Sequence, residues 1–281
     1  MNTNTLPFLK WAGGKRWLVA KHSEWLRRDA KRYIEPFLGS GAVFFHIQPK
    51  RAILNDLNEE LIITYQSLRD EPHDVWRLLK AHQRKHSTEY YYFVRNQKLR
   101  APTRKAARFI YLNRTCFNGI YRVNLQGDFN VPKGTKNSVI LPEDNFPFIS
   151  KLLHPAKISS LDFSHTIAKA KTGDFLYVDP PYTVKHNKNN FIKYNESIFS
   201  WADQVRLANL LIQAAKRGAC ILISNADHPS IHNLYRSNIW KRITVDRFSG
   251  VASSSKYRKG TTEVIISNYL TNTGNQVDPR G

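Results

Sequence analysis

The four residues Asp179-Pro180-Pro181-Tyr182 carry the clearest chemical signal in the sequence, because they follow the apolar run Phe175-Leu176-Tyr177-Val178. Such a run predicts a buried strand. Two successive prolines, which cannot donate to a strand ladder and which fix φ, predict that the strand ends abruptly. A carboxylate and a rigid neighbouring carbonyl group accept both hydrogens of an exocyclic amine, and a tyrosine ring offers a flat face to an unstacked base. An isolated Pro-Pro pair is more often an ordinary turn, but the whole tetrapeptide after a buried strand favours a site for the amino group of a nucleobase.

A second candidate site lies where Gly39 and Gly41 separate a short predicted strand, Tyr33-Ile34, from a predicted helix. Glycines let the backbone turn tightly there and let a ligand approach closely. Asp56 ends the next predicted strand, a position at which a carboxylate accepts the two hydroxyl groups of a ribose. A lone G-x-G is a weak signal, and ordinary turns outnumber cofactor loops for so short a match. The sequence contains neither G-x-G-x-x-G nor G-x-x-x-x-G-K-[ST], which disfavours pyrophosphate cofactors and nucleotide hydrolysis. The pattern therefore indicates a nucleoside ligand without phosphates.

The composition favours a polyanionic partner. Among 281 residues, 43 Lys and Arg against 22 Asp and Glu give a formal charge of +21. The excess is concentrated between Trp76 and Lys136, where 14 basic residues accompany only two acidic ones, Glu89 and Asp128, among many aromatic residues. The competing interpretation is a set of solvated helix faces over an aromatic core, and most of these lysines fit it.

Several classes of protein are disfavoured by what the sequence lacks. The two cysteines, Cys116 and Cys220, are far apart and match no metal-ligand spacing, so we expect no metal site and a reducing compartment. No apolar stretch approaches the roughly 18 to 20 residues that a membrane span needs, and the first residues lack the plan of a signal peptide. We therefore expect a cytoplasmic protein without a membrane partner.

Strand and helix signals alternate in two separated regions, which predicts an α/β fold whose sheet is interrupted by an insertion. The first region has strands at Tyr33-Ile34 and Ala52-Ile53-Leu54, and a helix is predicted from Lys15 to about Ala30. The second has strands at residues 157–160, 175–178 and 219–224 and a helix over residues 201–217. Between them we expect a mainly helical domain with a compact hairpin or loop at residues 117–132. Residues 183–195 and 271–281 are predicted to be a mobile loop and a frayed tail.

The order of these motifs resembles the Dam family of S-adenosylmethionine-dependent adenine-N6 DNA methyltransferases over nearly the whole chain. The similar segments are residues 8–15 (FLKWAGGK), 35–41 (EPFLGSG), 111–114 (YLNR), Asn118-Gly119, 127–132 (GDFNVP) and the tetrapeptide at 179–182. The resemblance implies a Rossmann-like methyltransferase sheet with an inserted, mainly helical DNA-recognition domain carrying a hairpin. It divides the chain into a cofactor-binding part (1–57), a target-recognition domain (58–145), a catalytic part (146–270) and a flexible tail (271–281).

The resemblance also implies roles for individual residues. The catalytic residues would be Asp179, Pro180, Pro181 and Tyr182. Residues that would contact or shape the pocket of S-adenosylmethionine are Trp11, Lys15, Phe37, Gly39, Gly41, Asp56, Asp162, Phe163 and Asp179. Contacts with base edges or phosphates would come from Lys10, Arg95, Arg114, Asn118, Arg122 and Pro132. Each has a structural alternative, such as a helix N-cap for Asp162.

The resulting expectation is methylation of an adenine in double-stranded DNA, in GATC, without an obligate protein partner. Arg122 is the first choice for reading a guanine, because an arginine fork pairs with O6 and N7 together. Three alternatives stay open: an enzyme for another short site linked to restriction, an RNA or cytosine-N4 methyltransferase, and a non-catalytic DNA-binding protein with the same fold. Asp179 and the recognition segment argue against the second, and the intact Asp179, Tyr182 and Asp56 argue against the third.

Overall fold

The computed structural model describes residues 6–124, 127–184, 199–247 and 261–270. Residues 125 and 126 of the predicted hairpin, most of the predicted loop at 183–195 and the whole predicted tail at 271–281 lie outside this description. By the contacts among Cα atoms the chain divides into two compact units. The first comprises Met1–Arg16, Gly39–Gln48 and Asp56–Ser160, and the second comprises Trp17–Leu38, Pro49–Asn55 and Leu161–Gly281.

The described residues contain seven strands in one mixed sheet of order β3-β2-β1-β4-β5-β7-β6. The strands are β1 (Arg32–Glu35), β2 (Ala52–Asn55), β3 (Ala156–Ser159), β4 (Asp174–Val178), β5 (Cys220–Ala226), β6 (Lys241–Arg247) and β7 (Thr261–Ser267). Strand β1 pairs in parallel with β2 and β4, and β4 pairs in parallel with β5. Strand β7 is antiparallel to both of its neighbours, β5 and β6. The predicted α/β fold with a parallel sheet is confirmed, and the antiparallel pair β6 and β7 extends it.

The helices separate by unit. The described residues of the first unit hold α2 (Ala42–Ile47), α3 (Glu59–Asp70), α4 (Pro72–Lys85), α5 (Thr88–Arg95), α6 (Pro102–Thr115) and α7 (Phe146–Leu153). The second unit holds α8 (Phe163–Ile167), α9 (Trp201–Lys216) and α10 (Pro229–Leu234), and α1 (Arg16–Lys21) begins at the last residue of the first unit. No helix in the part of the chain that the structure describes is long and apolar enough to span a membrane.

Local sequence explains where the main helices begin. The side chain of Asn58 accepts a hydrogen bond from the backbone N–H of Leu61 at the start of α3. Glu59 and Glu60 follow in the first turn, where negative charge interacts favourably with the helix dipole and stabilises the helix. Helix α9 begins with a capping box between Ser200 and Asp203. The predicted helix at 201–217 is confirmed and ends at Lys216.

The core of the second unit explains the apolar run at residues 175–178 in β4. Leu176 and Val178 lie on one face of the sheet and pack in a cluster with Ile223 of β5 and with Leu207 and Leu211 of α9. Both faces of a central parallel strand are covered, so every residue of β4 is buried. The strand therefore fixes the position from which Asp179 leaves the sheet.

One local prediction needs correction. The helix predicted to run to Ala30 ends at Lys21, and a single 3-10 turn, Ser23–Trp25, follows. This turn places the buried Trp25 ring on His22, with ring centroids 4.0 Å apart. Among its described residues, the predicted hairpin or loop contains two isolated antiparallel bridges, Cys116 with Lys133 and Val123 with Phe129. Its Asn118-Gly119 turn is present, and both residues have positive φ, 56° and 65°.

Candidate active site

The tetrapeptide leaves the sheet at the carboxyl end of β4, between two parallel neighbours, β1 and β5. In open α/β sheets ligands bind outside the carboxyl ends of the strands, near the point where the strand order reverses. Asp179, Pro181 and Tyr182 are partly exposed there, whereas Pro180 is buried. A carboxylate and an aromatic ring therefore stand on a stiff segment at the edge where this class of fold binds its ligands.

Buried amide groups hold the backbone of the tetrapeptide. The side-chain amide of Gln204 on α9 donates to the carbonyl oxygen of Pro181 at 3.3 Å, and Asn225 on β5 donates to Gln204 at 3.2 Å. Neither Gln204 nor Asn225 has exposed surface. Asn225 in turn accepts from the backbone N–H of Ala226. A chain of hydrogen bonds thus fixes the peptide that precedes Tyr182.

The hydroxyl group of Tyr182 is also held, since it donates to Glu263 at 2.7 Å and lies 3.0 Å from the Ser224 hydroxyl. Burial and, after it, the charge of Asp179 raise the pKa of this hydroxyl well above its ordinary value. Tyr182 is therefore a neutral hydrogen-bond donor at physiological pH.

In the first unit, the glycine turn has a backbone that brings it close to the Trp11 ring. Gly39 and Gly41 have φ of 48° and 64°, which L side chains rarely adopt. A Cβ at Gly39 would lie 2.7 Å from Cδ1 of Trp11. The backbone of Gly39 is fixed on both sides, because its N–H donates to Asp56 and its carbonyl accepts from the Tyr65 hydroxyl. Only glycine therefore permits this arrangement.

The carboxylate of Asp56 joins that turn to the start of α3. Its Oδ2 accepts from the N–H of Gly39 at 2.9 Å, and its Oδ1 accepts from the N–H of Asn58 at 3.0 Å. Burial raises the pKa of Asp56, although both N–H groups act in the opposite direction. Each oxygen has a further lone pair, so the carboxylate is chemically suited to accept ribose hydroxyl groups as well.

Trp11 and Lys15 have defined places in the same unit. The Trp11 ring is stacked on Tyr121, with centroids 5.7 Å apart and an interplanar angle of 18°. Lys15 is buried and donates from Nζ to the carbonyl oxygen of Gly13 at 2.6 Å. Trp11 lies against Gly39 of the glycine turn, and a Cβ on Gly14, the residue before Lys15, would lie 3.5 Å from Oγ of Ser40 in that turn.

Three further predicted cofactor residues lie in the second unit. The rings of Phe37 and Phe163 are 5.4 Å apart. Asp162 caps α8 by accepting from the N–H of Ser164, and it forms an ion pair with Arg206 at 2.8 Å. This pair lowers the pKa of Asp162, and the Arg206 guanidinium also lies 4.2 Å from the centre of the Phe163 ring. The structural alternative for Asp162, a helix N-cap, is therefore present.

Four of the six residues predicted to contact DNA are exposed: Lys10, Asn118, Arg122 and Pro132. Arg122 and Asn118 are exposed on the loop at 116–133, and Nε of Arg122 donates to Asn130 at 3.0 Å. This bond restrains the orientation of the guanidinium group. Lys10 is exposed beside the turn, where a Cβ on Gly119 would lie 2.5 Å from its Cδ. Partial burial, and then Lys136, lower the pKa of Lys10 to about 8.

Two other predicted DNA contacts lie on separate elements. Arg95 ends α5, and its guanidinium lies 4.8 Å from the centre of the Tyr92 ring. Pro132 is exposed, and its carbonyl oxygen accepts from the N–H of Phe117.

The model of the family described as "D12 class N6 adenine-specific DNA methyltransferase" matches residues 11–250 of this chain. The matched range includes the glycine turn, Asp56 and the whole tetrapeptide. This chain belongs to that family. It is an adenine-specific DNA methyltransferase, and methyltransferases of this class use S-adenosylmethionine and act on DNA.

Relatives of the methyltransferase align over almost the full length. A type II methyltransferase, M1.LlaDCHI of Lactococcus lactis subsp. cremoris, is 38% identical over 275 residues, which cover 95% of this chain and 96% of the relative. The type II methyltransferase M.MjaIII of Methanocaldococcus jannaschii is 35% identical over 289 residues, covering 94% and 99%. A DNA adenine methylase of Escherichia coli is 31% identical over 262 residues, covering 92% and 93%. The resemblance to the Dam family is thereby confirmed.

Arg114 of the methyltransferase has a structural role instead of the predicted DNA contact. It is buried and forms two hydrogen bonds with the buried carboxylate of Asp144, both at 2.6 Å. Its remaining N–H groups donate to the carbonyl oxygens of Phe8 and Val139. The resemblance to the Dam family implied a DNA contact for Arg114, and the sequence alone does not reveal its partner Asp144, 30 residues away.

The sequence analysis missed Gln204, Ser224, Asn225 and Glu263, which hold the tetrapeptide. Gln204 lies on the apolar side of α9, and Ser224 and Asn225 end an apolar strand. A carboxylate directly before the run Val264-Ile265-Ile266 is the one signal that would have suggested a buried acid.

Proposed function

We propose that this methyltransferase transfers a methyl group from S-adenosylmethionine to N6 of a flipped adenine in GATC sites of duplex DNA. The observation that carries the proposal is the stiff tetrapeptide at the end of β4, whose backbone and tyrosine are both held by buried polar groups. A site that must orient an amine needs such rigidity.

Asp179 and Pro180 are proposed to activate the amine. Adenine N6 is a weak nucleophile because its lone pair is delocalised into the ring. When the Asp179 carboxylate and the Pro180 carbonyl oxygen accept its two hydrogens, the nitrogen becomes pyramidal and the lone pair localises. S-adenosylmethionine, when bound, supplies an electrophilic methyl group. The methylated nitrogen is acidic and loses its extra proton without a strong general base, so orientation and electrostatics account for the catalysis.

Tyr182 is proposed to receive the flipped base. Extrusion of a nucleotide from the duplex costs a few kcal/mol, and stacking on an aromatic ring returns about 1 to 3 kcal/mol. The anchored hydroxyl of Tyr182 leaves the face of its ring as the surface for the adenine.

The donor's binding is proposed to follow the family pattern. Asp56 accepts the ribose hydroxyl groups of S-adenosylmethionine, and the turn of Gly39 and Gly41 shapes its pocket. Trp11, Lys15, Phe37, Asp162, Phe163 and Asp179 complete the proposed contacts. The hydrogen bonds by which the Asp56 carboxylate holds the glycine turn and the start of α3 support this assignment.

DNA recognition is proposed to rest on the loop at 116–133. Arg122 reads a guanine edge, Asn118 and Lys10 lie beside it, and Arg95 and Pro132 lie near the DNA backbone. The exposure of Arg122 and the restrained orientation of its guanidinium group support this assignment. Because the proposed substrate is bacterial or phage DNA, we place the enzyme in the cytoplasm.

A second candidate is an enzyme with a different short site that works beside a restriction nuclease. The names of two relatives, which are type II methyltransferases, favour it. The two candidates differ only in the sequence that is methylated.

The test is transfer of tritium from labelled S-adenosylmethionine to a panel of duplexes that carry GATC or one of its twelve single-base variants, followed by nucleoside analysis. We expect N6-methyladenine, with GATC preferred over every variant. Duplexes whose GATC adenines are already methylated on both strands are the matched control and should accept no label. Preference for a variant or for an unrelated site would reject GATC, and label in cytosine would reject the assigned amine.

A further inference from the structure

Strand β7 carries a buried carboxylate, Glu263, that no step of the proposed chemistry uses. The residue is 2% exposed and lies on a strand that is paired on both sides, opposite Ala226 of β5 and Val245 of β6. Burial of a carboxylate is costly unless hydrogen bonds compensate it. The hydrogen-bond partners of Glu263 therefore indicate which groups its buried carboxylate holds in place.

Two of those partners are hydroxyl groups, and one belongs to the tetrapeptide. Oη of Tyr182 donates to Oε2 of Glu263 at 2.7 Å, and Oγ of Ser224 donates to the same oxygen at 3.2 Å. The two hydroxyl oxygens are 3.0 Å apart, so the three groups form a closed triangle. Hydrogen bonds to a charged acceptor are about twice as strong as neutral ones.

The sheet register explains why these groups meet. Val178 of β4 is paired with Ile223 of β5, so the residues that follow them, Asp179 and Ser224, stand level at the carboxyl end of the sheet. Ser224 has no exposed surface and cannot move without its strand. The triangle therefore joins the tetrapeptide to two neighbouring strands.

The position of the contact on the ring determines its effect. A tyrosine side chain has two rotatable bonds, and the backbone before Tyr182 is already fixed through Pro181 and Gln204. A tether at the far end of the ring fixes the remaining rotation about Cα–Cβ and Cβ–Cγ. Without the tether the ring keeps its apolar surface but not a single orientation.

We propose that Glu263, assisted by Ser224, is a positioning residue that fixes the ring of Tyr182 in the plane on which the flipped adenine stacks. The proposal rests on the proposed stacking role of Tyr182. It adds a requirement for the tyrosine hydroxyl, which acts through Glu263 and not on the substrate.

The first test compares Glu263→Leu with Glu263→Gln, which keeps an acceptor oxygen for the Tyr182 hydroxyl. We expect the single-turnover methylation rate to fall about tenfold in Glu263→Leu and less than threefold in Glu263→Gln. The affinities for DNA and S-adenosylmethionine should stay within about twofold of the parent. Ser267→Ala is the control, since Ser267 is buried on the same strand and its hydroxyl oxygen accepts from the backbone N–H groups of Tyr269 and Leu270. It should keep the parent rate.

The second test asks whether Glu263 acts through Tyr182. Tyr182→Phe should lose about as much rate as Glu263→Leu, and the double variant should be no slower than either, because one contact is removed in all three. Multiplied losses in the double variant, or a parent rate in Glu263→Leu, would overturn the proposal. If Glu263→Leu does not fold, Ser224→Ala replaces it, and we expect its methylation rate to fall about threefold. A parent rate in both Ser224→Ala and Tyr182→Phe would also overturn the proposal.

Tyr182→Ala separates this proposal from the function on which it rests. A large loss in Tyr182→Ala with a parent rate in Glu263→Leu would reject only the tether. A parent rate in Tyr182→Ala would reject the stacking role itself.

Discussion

At the scale of single residues, burial separates arginines that look equivalent in the sequence. Arg114 and Arg122 are eight positions apart in one basic segment. The first is buried in an ion pair with Asp144, whereas the second is exposed with one hydrogen bond to Asn130. Of the two, only Arg122 has an exposed side chain, as the proposed contact with a base requires. Substitution of Arg122 should therefore change site preference, whereas substitution of Arg114 should lower stability.

For Arg122→Ala we expect a loss of about 1 to 3 kcal/mol on the cognate site and relaxed discrimination at one base pair, because a bidentate contact with guanine is removed. Methylation rates on GATC and its single-base variants, at several salt concentrations, measure this. Lys105→Ala is the control. It should weaken all duplexes similarly and lower the log-log salt slope by about one if Lys105 touches a phosphate. A uniform loss for Arg122→Ala would make Arg122 a backbone anchor.

The lowered pKa of Lys10 predicts a pH dependence of DNA binding. The ammonium group loses its proton as pH rises through about 8 in the free protein, and a contact with DNA favours the charged form. Binding should therefore take up protons, and affinity should fall as pH rises above about 8. Titrations of DNA binding from pH 7 to 9.5 measure the fall. Lys10→Arg should abolish it, and an identical profile in that variant would exclude Lys10 as its source.

At the scale of elements, the turn at residues 39–41 combines an unusual backbone with a close neighbour. Gly39 has positive φ, and its missing Cβ makes room for the Trp11 ring, which itself is stacked on Tyr121. A hydrogen bond to Asp56 sets the same turn against the start of α3. A substitution here should disturb the proposed cofactor contacts together.

Gly39→Ala should weaken S-adenosylmethionine binding by about tenfold or more. The left-handed backbone costs an L residue about 1 to 2 kcal/mol, and the new Cβ displaces Trp11. Gly127→Ala is a matched control, because Gly127 also has positive φ, 81°, but no atom of the described residues lies within 4 Å of the added Cβ. Calorimetric titration with S-adenosylmethionine compares them. Equal affinities in both variants would mean that the turn does not shape the cofactor site.

At the scale of the whole molecule, the sequence predicted the elements that are determined by residues close together along the chain. The apolar run before Asp179 predicted β4, and the alternation of strands and helices predicted the parallel sheet with an insertion. It did not predict β6 and β7, although Lys241–Arg247 alternates polar and apolar residues as an antiparallel strand does. Nor did it predict the roles of Arg114 and Glu263, because their partners lie 30 and 81 residues away. Whether residues 58–145 form the target-recognition domain stays a prediction, since the compact first unit also includes the glycine turn.

The burial of Arg114 predicts a loss of stability rather than of specificity. Removal of one partner from a buried ion pair costs about 3 to 5 kcal/mol, because the other charge stays buried. Denaturant unfolding of Arg114→Ala should show a loss of this size. Arg69→Ala, which breaks an exposed pair with Asp70, should lose less than about 1 kcal/mol. If Arg114→Ala lost less than about 1 kcal/mol of stability and changed the preferred DNA site, the result would support a DNA contact for Arg114 instead.

The Asp179 carboxylate is proposed to orient the adenine amine, and this is the step on which the whole mechanism depends. The most direct test measures the methylation rate of Asp179→Ala together with the affinities of this variant for DNA and S-adenosylmethionine. Asp29→Ala is the control, because it removes a carboxylate of the same unit from an exposed pair with Arg27. We predict that Asp179→Ala loses at least about a thousandfold in rate with DNA affinity nearly unchanged, since an acceptor used in the transition state is lost. A rate within tenfold of the parent would contradict the account.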